Sequence, residues 1–270
     1  MNLCESNKAV SEEIKNFILN VPNVKEESIT DYLVWKWRDL DKRFNYINIS
    51  TFTRQEESAT TGADFEMELW LIGKSYRFPL LIQAKKFVKS FDSYVNKLNY
   101  PNGTQAQLSN LIRYSLSRNL LPFYLFYSLA DSATQIMCPF NDVNQSGIFM
   151  ADAYTIKDFA DGLHGKRISK NALMKSSNPF HCIFCCPLSL DGNYFIHYFP
   201  KLARSSNFEE GKQLPDYVSL LLGGRIEEIG VDERRSLLEQ NELYRYRKIA
   251  VYDLRDYHRG LNNSQSTKTG

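Results

Sequence analysis

The stretch TGADFEMELWLIGKSYRFPLLIQAKKF, Thr61 to Phe87, is the most informative part of this chain. Two apolar runs flank Gly73-Lys74-Ser75-Tyr76, which predicts a hairpin. Side chains alternate across a strand, so Asp64, Glu66 and Glu68 share one face while Phe65, Met67 and Leu69 share the other. On the second strand Gln83 and Lys85 share a face with Leu81. A turn centred on residues 73–76 gives partner numbers that sum to about 149, which sets Asp64 opposite Lys85 and Glu66 opposite Gln83. One reading is a solvated face with a weak surface ion pair. Against it stands Leu80-Leu81-Ile82, a run too apolar for anything but the inside of a sheet, so charges at its end suggest a site.

Outward from the hairpin, apolar residues recur at Ile29, Leu33, Trp37 and Leu40, one face of a helix from Glu26 to about Leu40 behind the capping box Asn23-Val24-Lys25-Glu26. Ser11 to Asn20 is a shorter helix before it. Phe44 to Phe52 reads as a strand and Thr53 to Gly62 as a polar loop. Thr104 to Asn119 has helical spacing, and Leu120 to Leu129 is an apolar run expected to be a strand covered on both faces. Gly147–Ala153, Phe180–Cys186, Tyr194–Phe199 and Lys248–Leu254 read as further strands. Thr155–Leu163, capped by Thr155, Leu214–Leu222 and Val231–Leu243 read as helices. His164 to Asn178 is a basic loop, and the tail from Gly260 is polar and disordered. The fold class is α/β, a mixed sheet flanked by helices.

With 270 residues, 43% of them hydrophobic, the chain can build one large core or two small ones. Lys and Arg number 33 against 31 Asp and Glu, a net charge of +2, so any contact with a polyanion must come from local patches. No stretch approaches the ~18 consecutive apolar residues of a membrane span, and the N-terminus lacks the pattern of a secretory signal, which points to the cytoplasm. Five cysteines, three of them within His181-Cys182-Ile183-Phe184-Cys185-Cys186, do not resemble a secreted disulfide framework, and the thiols read as reduced. On a strand, Cys182 and Cys185 point to opposite faces, which favours core cysteines over a zinc site.

Gly62-Ala63-Asp64, the hairpin and Gln83-Ala84-Lys85 resemble the core of the PD-(D/E)XK nuclease superfamily, the restriction-endonuclease-like fold, in a D…QxK variant with glutamine at the acidic position. The ordered set Glu26-Glu27-Ser28-Ile29-Thr30, Thr61 to Asp64, Gln83 to Lys85, Pro122 to Tyr127 and His181 to Cys186 is similar to a bacterial branch of that superfamily. With no internal repeat and no linker, a single domain is expected over residues 1–259 ahead of the polar tail at 260–270, and the resemblance implies within it a core at about 23–130 and a C-terminal α/β elaboration at about 131–259.

It also implies a magnesium-dependent endonuclease acting on DNA, with manganese as a substitute, in bacterial defence against phage or foreign DNA. Such a metal prefers hard oxygen ligands and makes water a usable nucleophile. Asp64 is the first expected ligand and the Gln83 amide oxygen a neutral second. The second carboxylate is Glu66, opposite Gln83, or Glu27 on the early helix, with Glu26 as the fallback if that helix faces the other way. Lys85 would orient the attacking water or stabilise developing charge on the phosphate, and Gln107, ahead of Gln105, would hold that lysine from the following helix. Lys166, Arg167, Lys170 and Lys175, and Arg245, Arg247 and Lys248 with Tyr244 and Tyr246, are candidate phosphate contacts. No element resembles a base-reading module. The rival readings are a catalytically inactive nucleic-acid- or protein-binding module of the same fold, which Gln83 and the near-neutral charge favour, and an RNA-directed nuclease. A homodimer, a defence-system partner protein and an activating ligand all stay open, and no membrane partner is expected.

Overall fold

Asn2 begins the first helix by a reciprocal cap: its Oδ1 accepts from the Glu5 backbone N–H at 2.9 Å, and its own N–H donates to Glu5 Oε2 at 3.2 Å. In this computed structural model the described residues are 2–21, 23–44, 47–51, 65–73, 77–88, 91–92, 98, 101–102, 105–132, 134–138, 146–165, 167–185, 213–224 and 228–255. Among them run α1 (Leu3–Asn20), α2 (Glu26–Phe44), β1 (Ile47–Thr51), β2 (Phe65–Ile72), β3 (Arg77–Phe87), α3 (Gln107–Arg118), β4 (Leu121–Ser128), β5 (Ile148–Asp152), α4 (Ala153–Ala160), α5 (Lys170–Lys175), β6 (Asn178–Pro179), α6 (Cys182–Cys185), α7 (Asp216–Leu222), α8 (Val231–Gln240) and β7 (Tyr246–Asp253). The sequence-based polar loop at Thr53–Gly62, the strand at Tyr194–Phe199 and the tail from Gly260 lie outside the described residues.

The fold is α/β, a mixed seven-stranded sheet flanked by helices, with strand order β1-β7-β2-β3-β4-β5-β6. β2 and β3 pair antiparallel with Met67 opposite Ile82 and Ile72 opposite Arg77. Each such pair sums to 149, the predicted register. β7 lies parallel to β2 on the latter's other side and antiparallel to β1. Leu121–Ser128 is buried at every position, as expected of a strand covered on both faces.

Contacts divide the chain into two compact units. The first comprises Met1–Lys36 and Gln83–Phe208, the second Trp37–Ile82 and Glu209–Gly270, so α2 and β3 each contribute to both. In the first unit β4 pairs antiparallel with β5, and α1 is stitched to the start of β5. Ser11 Oγ lies 2.8 Å from Ser146 Oγ, and the Gly147 N–H donates to the Ser11 carbonyl at 3.0 Å. Only glycine fits there: a Cβ on residue 147 would stand 2.4 Å from the Lys15 nitrogen. In the second unit α7 covers β1 and β7. There the Trp37 ring meets Tyr252 edge-on at 5.5 Å between centroids.

Several sequence-based expectations change. α1 starts at Leu3 rather than Ser11, because the Asn2–Glu5 cap opens it eight residues earlier. α4 starts at Ala153 and is capped by Asp152, whose carboxylate accepts from the Thr155 N–H and hydroxyl at 2.9 and 2.7 Å, so Thr155 is the partner of the cap. The predicted strand at Phe180–Cys186 is a one-turn helix at Cys182–Cys185, and the thiols are not all reduced, because Cys4 and Cys185 form a disulfide.

Candidate active site

The first turn of α2 meets the end of β3 within the first unit, and this contact positions the candidate site. Ile29, Thr30, Leu33 and Trp37 are buried completely, and Glu26 falls on the same face, two turns before Leu33. Glu26 therefore points inward while its neighbour Glu27 is exposed. Glu26 Oε1 lies 3.8 Å from Lys85 Nζ, and Glu26 Oε2 accepts the Lys86 backbone N–H at 2.5 Å. Lys86 Nζ reaches back to donate to the Val24 carbonyl at 2.8 Å, which clamps the start of the helix to the strand. Beneath, Thr30 Oγ1 donates to the Glu26 carbonyl at 3.1 Å and sits 2.7 Å from the buried Tyr127 hydroxyl on β4. Burial, and secondarily the Glu26 charge, push the Tyr124 phenol far above its ordinary range, so it stays protonated and donates to the Leu98 carbonyl at 3.1 Å.

Gln83 is buried, and its Oε1 has no hydrogen-bond partner among the described residues. A buried acceptor without a donor costs about 1–3 kcal/mol, so such an atom calls for a ligand or a neighbour. Gln107 Oε1, at the start of α3, is likewise buried without a partner among the described residues. Of the two helical glutamates it is Glu26, not Glu27, that meets Lys85, and the helical phase of Ile29, Leu33 and Trp37 was the sequence signal that could have chosen it. Lys86 and Thr30, which hold Glu26 in place, had no such signal.

Other expected site residues are placed elsewhere. Asp64 and Lys166 lie outside the described residues. Glu66 belongs to the second unit, where it is buried 3.1 Å from the buried Lys248 Nζ and 3.9 Å from Arg247 Nε, so its carboxylate is engaged in an ion pair and does not face solvent. Glu68 is buried too, accepting from Trp70 Nε1 at 2.6 Å and from the Tyr217 hydroxyl. Lys170 is no phosphate contact: it is buried, and its Nζ donates to the Leu129 carbonyl at 2.7 Å and Asp131 Oδ2 at 2.8 Å. Lys248 is withdrawn in the same way by Glu66. Arg167 and Lys175 are exposed, Arg247 is half-buried, and Arg245 stacks its guanidinium over Phe65 at 5.5 Å.

A family model matches residues 3–257. The chain belongs to the family of unknown function DUF6615. No curated protein and no solved structure matches it. In this DUF6615 protein no group of three or more His, Cys, Asp and Glu side chains among the described residues could hold a metal ion. Glu26 and Gln83 carry oxygen donors of the kind that magnesium takes, and of these the Gln83 Oε1 is buried without a partner among the described residues. No helix among the described residues is long and apolar enough to cross a membrane.

Proposed function

We propose that this DUF6615 protein is a restriction-endonuclease-like, metal-dependent nuclease that hydrolyses DNA phosphodiester bonds in the bacterial cytoplasm, in defence against phage or foreign DNA. One observation carries the reading: the Glu26 carboxylate stands 3.8 Å from Lys85, the lysine of Gln83-Ala84-Lys85, at the end of an apolar central strand. Glu26 and Gln83, both in the first unit, would hold magnesium or manganese, and Asp64, a ligand by the sequence resemblance, lies outside the described residues. The metal would polarise the phosphoryl oxygen and lower the pKa of a bound water. Lys85 supplies a fixed positive charge for the phosphate, and Glu26 orients that ammonium while Lys86 and Thr30 keep the helix docked. Gln107 would support Lys85 from α3. Arg167, Lys175, Arg245 and Arg247 are the remaining phosphate contacts in the proposal.

Degradation of plasmid, linear duplex, single-stranded DNA and RNA, compared across magnesium, manganese and EDTA, tests it. Metal-dependent DNA cleavage, lost in Lys85→Ala with the circular dichroism spectrum unchanged, is the expected result. No cleavage in either metal, or undiminished cleavage by Lys85→Ala, would sink the proposal, and cleavage of RNA alone would move it to an RNA-directed nuclease. A second reading, a catalytically silent binding module, is favoured by the engagement of both Glu26 oxygens and by the neutral Gln83. Metal-independent binding of DNA without turnover is its signature.

A further inference from the structure

Cys4 lies in the first turn of α1, and its disulfide to Cys185 joins residues 181 positions apart. Cys185 closes the one-turn helix α6, which opens with Cys182, so the two form a Cys-Ile-Phe-Cys turn whose i and i+3 side chains lie on one side. Cys182 is buried and is not in a disulfide, whereas Cys4 and Cys185 are half-buried. α1 packs on α6, so all three cysteines gather at one corner of the first unit. We propose that this corner is a thiol–disulfide exchange site that latches the first turn of α1.

In the exchange, the Cys182 thiolate attacks Cys185 Sγ, a Cys182–Cys185 bond forms and the Cys4–Cys185 bond breaks. The electron pair of the broken bond leaves on Cys4 Sγ, which takes up the proton that Cys182 gave away. One disulfide and one thiol stand on each side, so the step needs no external oxidant or reductant. Its consequence is local. Residues further along α1 stay fastened by Ser11 to Ser146 and Gly147, and by buried Val10, Ile14 and Ile18, none of which depends on the disulfide. Before Val10, Leu3, Ser6 and Asn7 are buried as well, and to their packing the disulfide adds the covalent tie of the helix to α6. The inference is independent of the nuclease reading.

Peptide mass mapping of the full chain, oxidised with diamide and trapped with N-ethylmaleimide, tests the exchange. Wild type is expected to yield both Cys4–Cys185 and Cys182–Cys185 linkages, Cys182→Ser only the first, and Cys4→Ser only the second. Cys4→Ala gives the same readout should serine unfold the half-buried position. Recovery of Cys182 and Cys185 as alkylated thiols from both Cys4 variants would overturn the exchange. The latch is read by hydrogen exchange: reduction with dithiothreitol should speed amides of residues 5–9 by about tenfold while residues 11–18 stay protected. Equal exchange before and after reduction would overturn it.

Discussion

Lys248→Met is the most discriminating single change, because it separates a structural role for Glu66 from a metal-binding one. Both side chains are 6% exposed and their charged atoms stand 3.1 Å apart. Removing one partner of a buried pair typically costs about 3–5 kcal/mol, because the remaining charge is left desolvated. Arg247 Nε remains 3.9 Å from the other Glu66 oxygen and is half-exposed, so the cost should fall near the lower limit, about 3 kcal/mol. That is a large share of a typical total stability of about 5–15 kcal/mol, and near this chain length it corresponds to a loss of about 6–12 °C in Tm. Glu66→Gln should cost a similar amount, and the double variant Glu66→Gln with Lys248→Met should recover most of the loss, since a neutral pair carries no stranded charge. Urea unfolding followed by tryptophan fluorescence is the assay. Trp37 and Trp70, two of the three tryptophans, lie in the second unit and report on it. Additive losses in the double variant, or a loss under about 1 kcal/mol in Lys248→Met, would refute the buried-pair argument. Were Glu66 a metal ligand instead, Glu66→Gln would lower manganese affinity in a calorimetric titration, and the ion-pair account predicts that it does not.

Glu26→Gln should abolish metal-dependent cleavage, while the exposed Glu27→Gln leaves kcat within about twofold; equal losses in plasmid cleavage would return the assignment to Glu27. Lys170→Met should cost about 2 kcal/mol of stability by freeing the Leu129 carbonyl and Asp131, with an unchanged salt slope of DNA binding, whereas Arg167→Gln with Lys175→Gln should flatten that slope. Gly147→Ala should destabilise by at least about 2 kcal/mol in thermal melts, because its methyl would meet the α1 backbone at Lys15 and Ser11, which cannot rotate away. His181 is held at about 4, down from 6.5, first by burial and then by the Lys8 charge. The unfolded chain therefore binds a proton between those two values that the folded chain refuses, and stability falls as pH drops through that window; His181→Leu should flatten this part of the urea-midpoint profile against pH.

Much of the architecture was legible because its causes are local. The apolar recurrence at Ile29, Leu33, Trp37 and Leu40 specifies a helix from its own side chains, and a turn expected from the sequence at 73–76 gave the register in which Met67 pairs with Ile82. The continuous apolar run after the α3 helix pointed to a strand covered on both faces, and Leu121–Ser128 is one, buried at every position. The run at Phe180–Cys186 misled for the complementary reason, since a short apolar stretch has too few periods to tell a strand from a helical turn. What the tertiary structure decided are pairings between residues far apart in sequence, for which one chain carries no local signal. Cys4 finds Cys185 across 181 positions, Lys170 is buried against Asp131, 39 positions away, and Lys248 is buried against Glu66, 182 positions away. The choice between Glu26 and Glu27 lies between these cases: adjacent helical residues diverge by about 100°, so the phase of Ile29 and Leu33 singles out Glu26 in the sequence, while its meeting with Lys85 follows from the docking of α2 on β3.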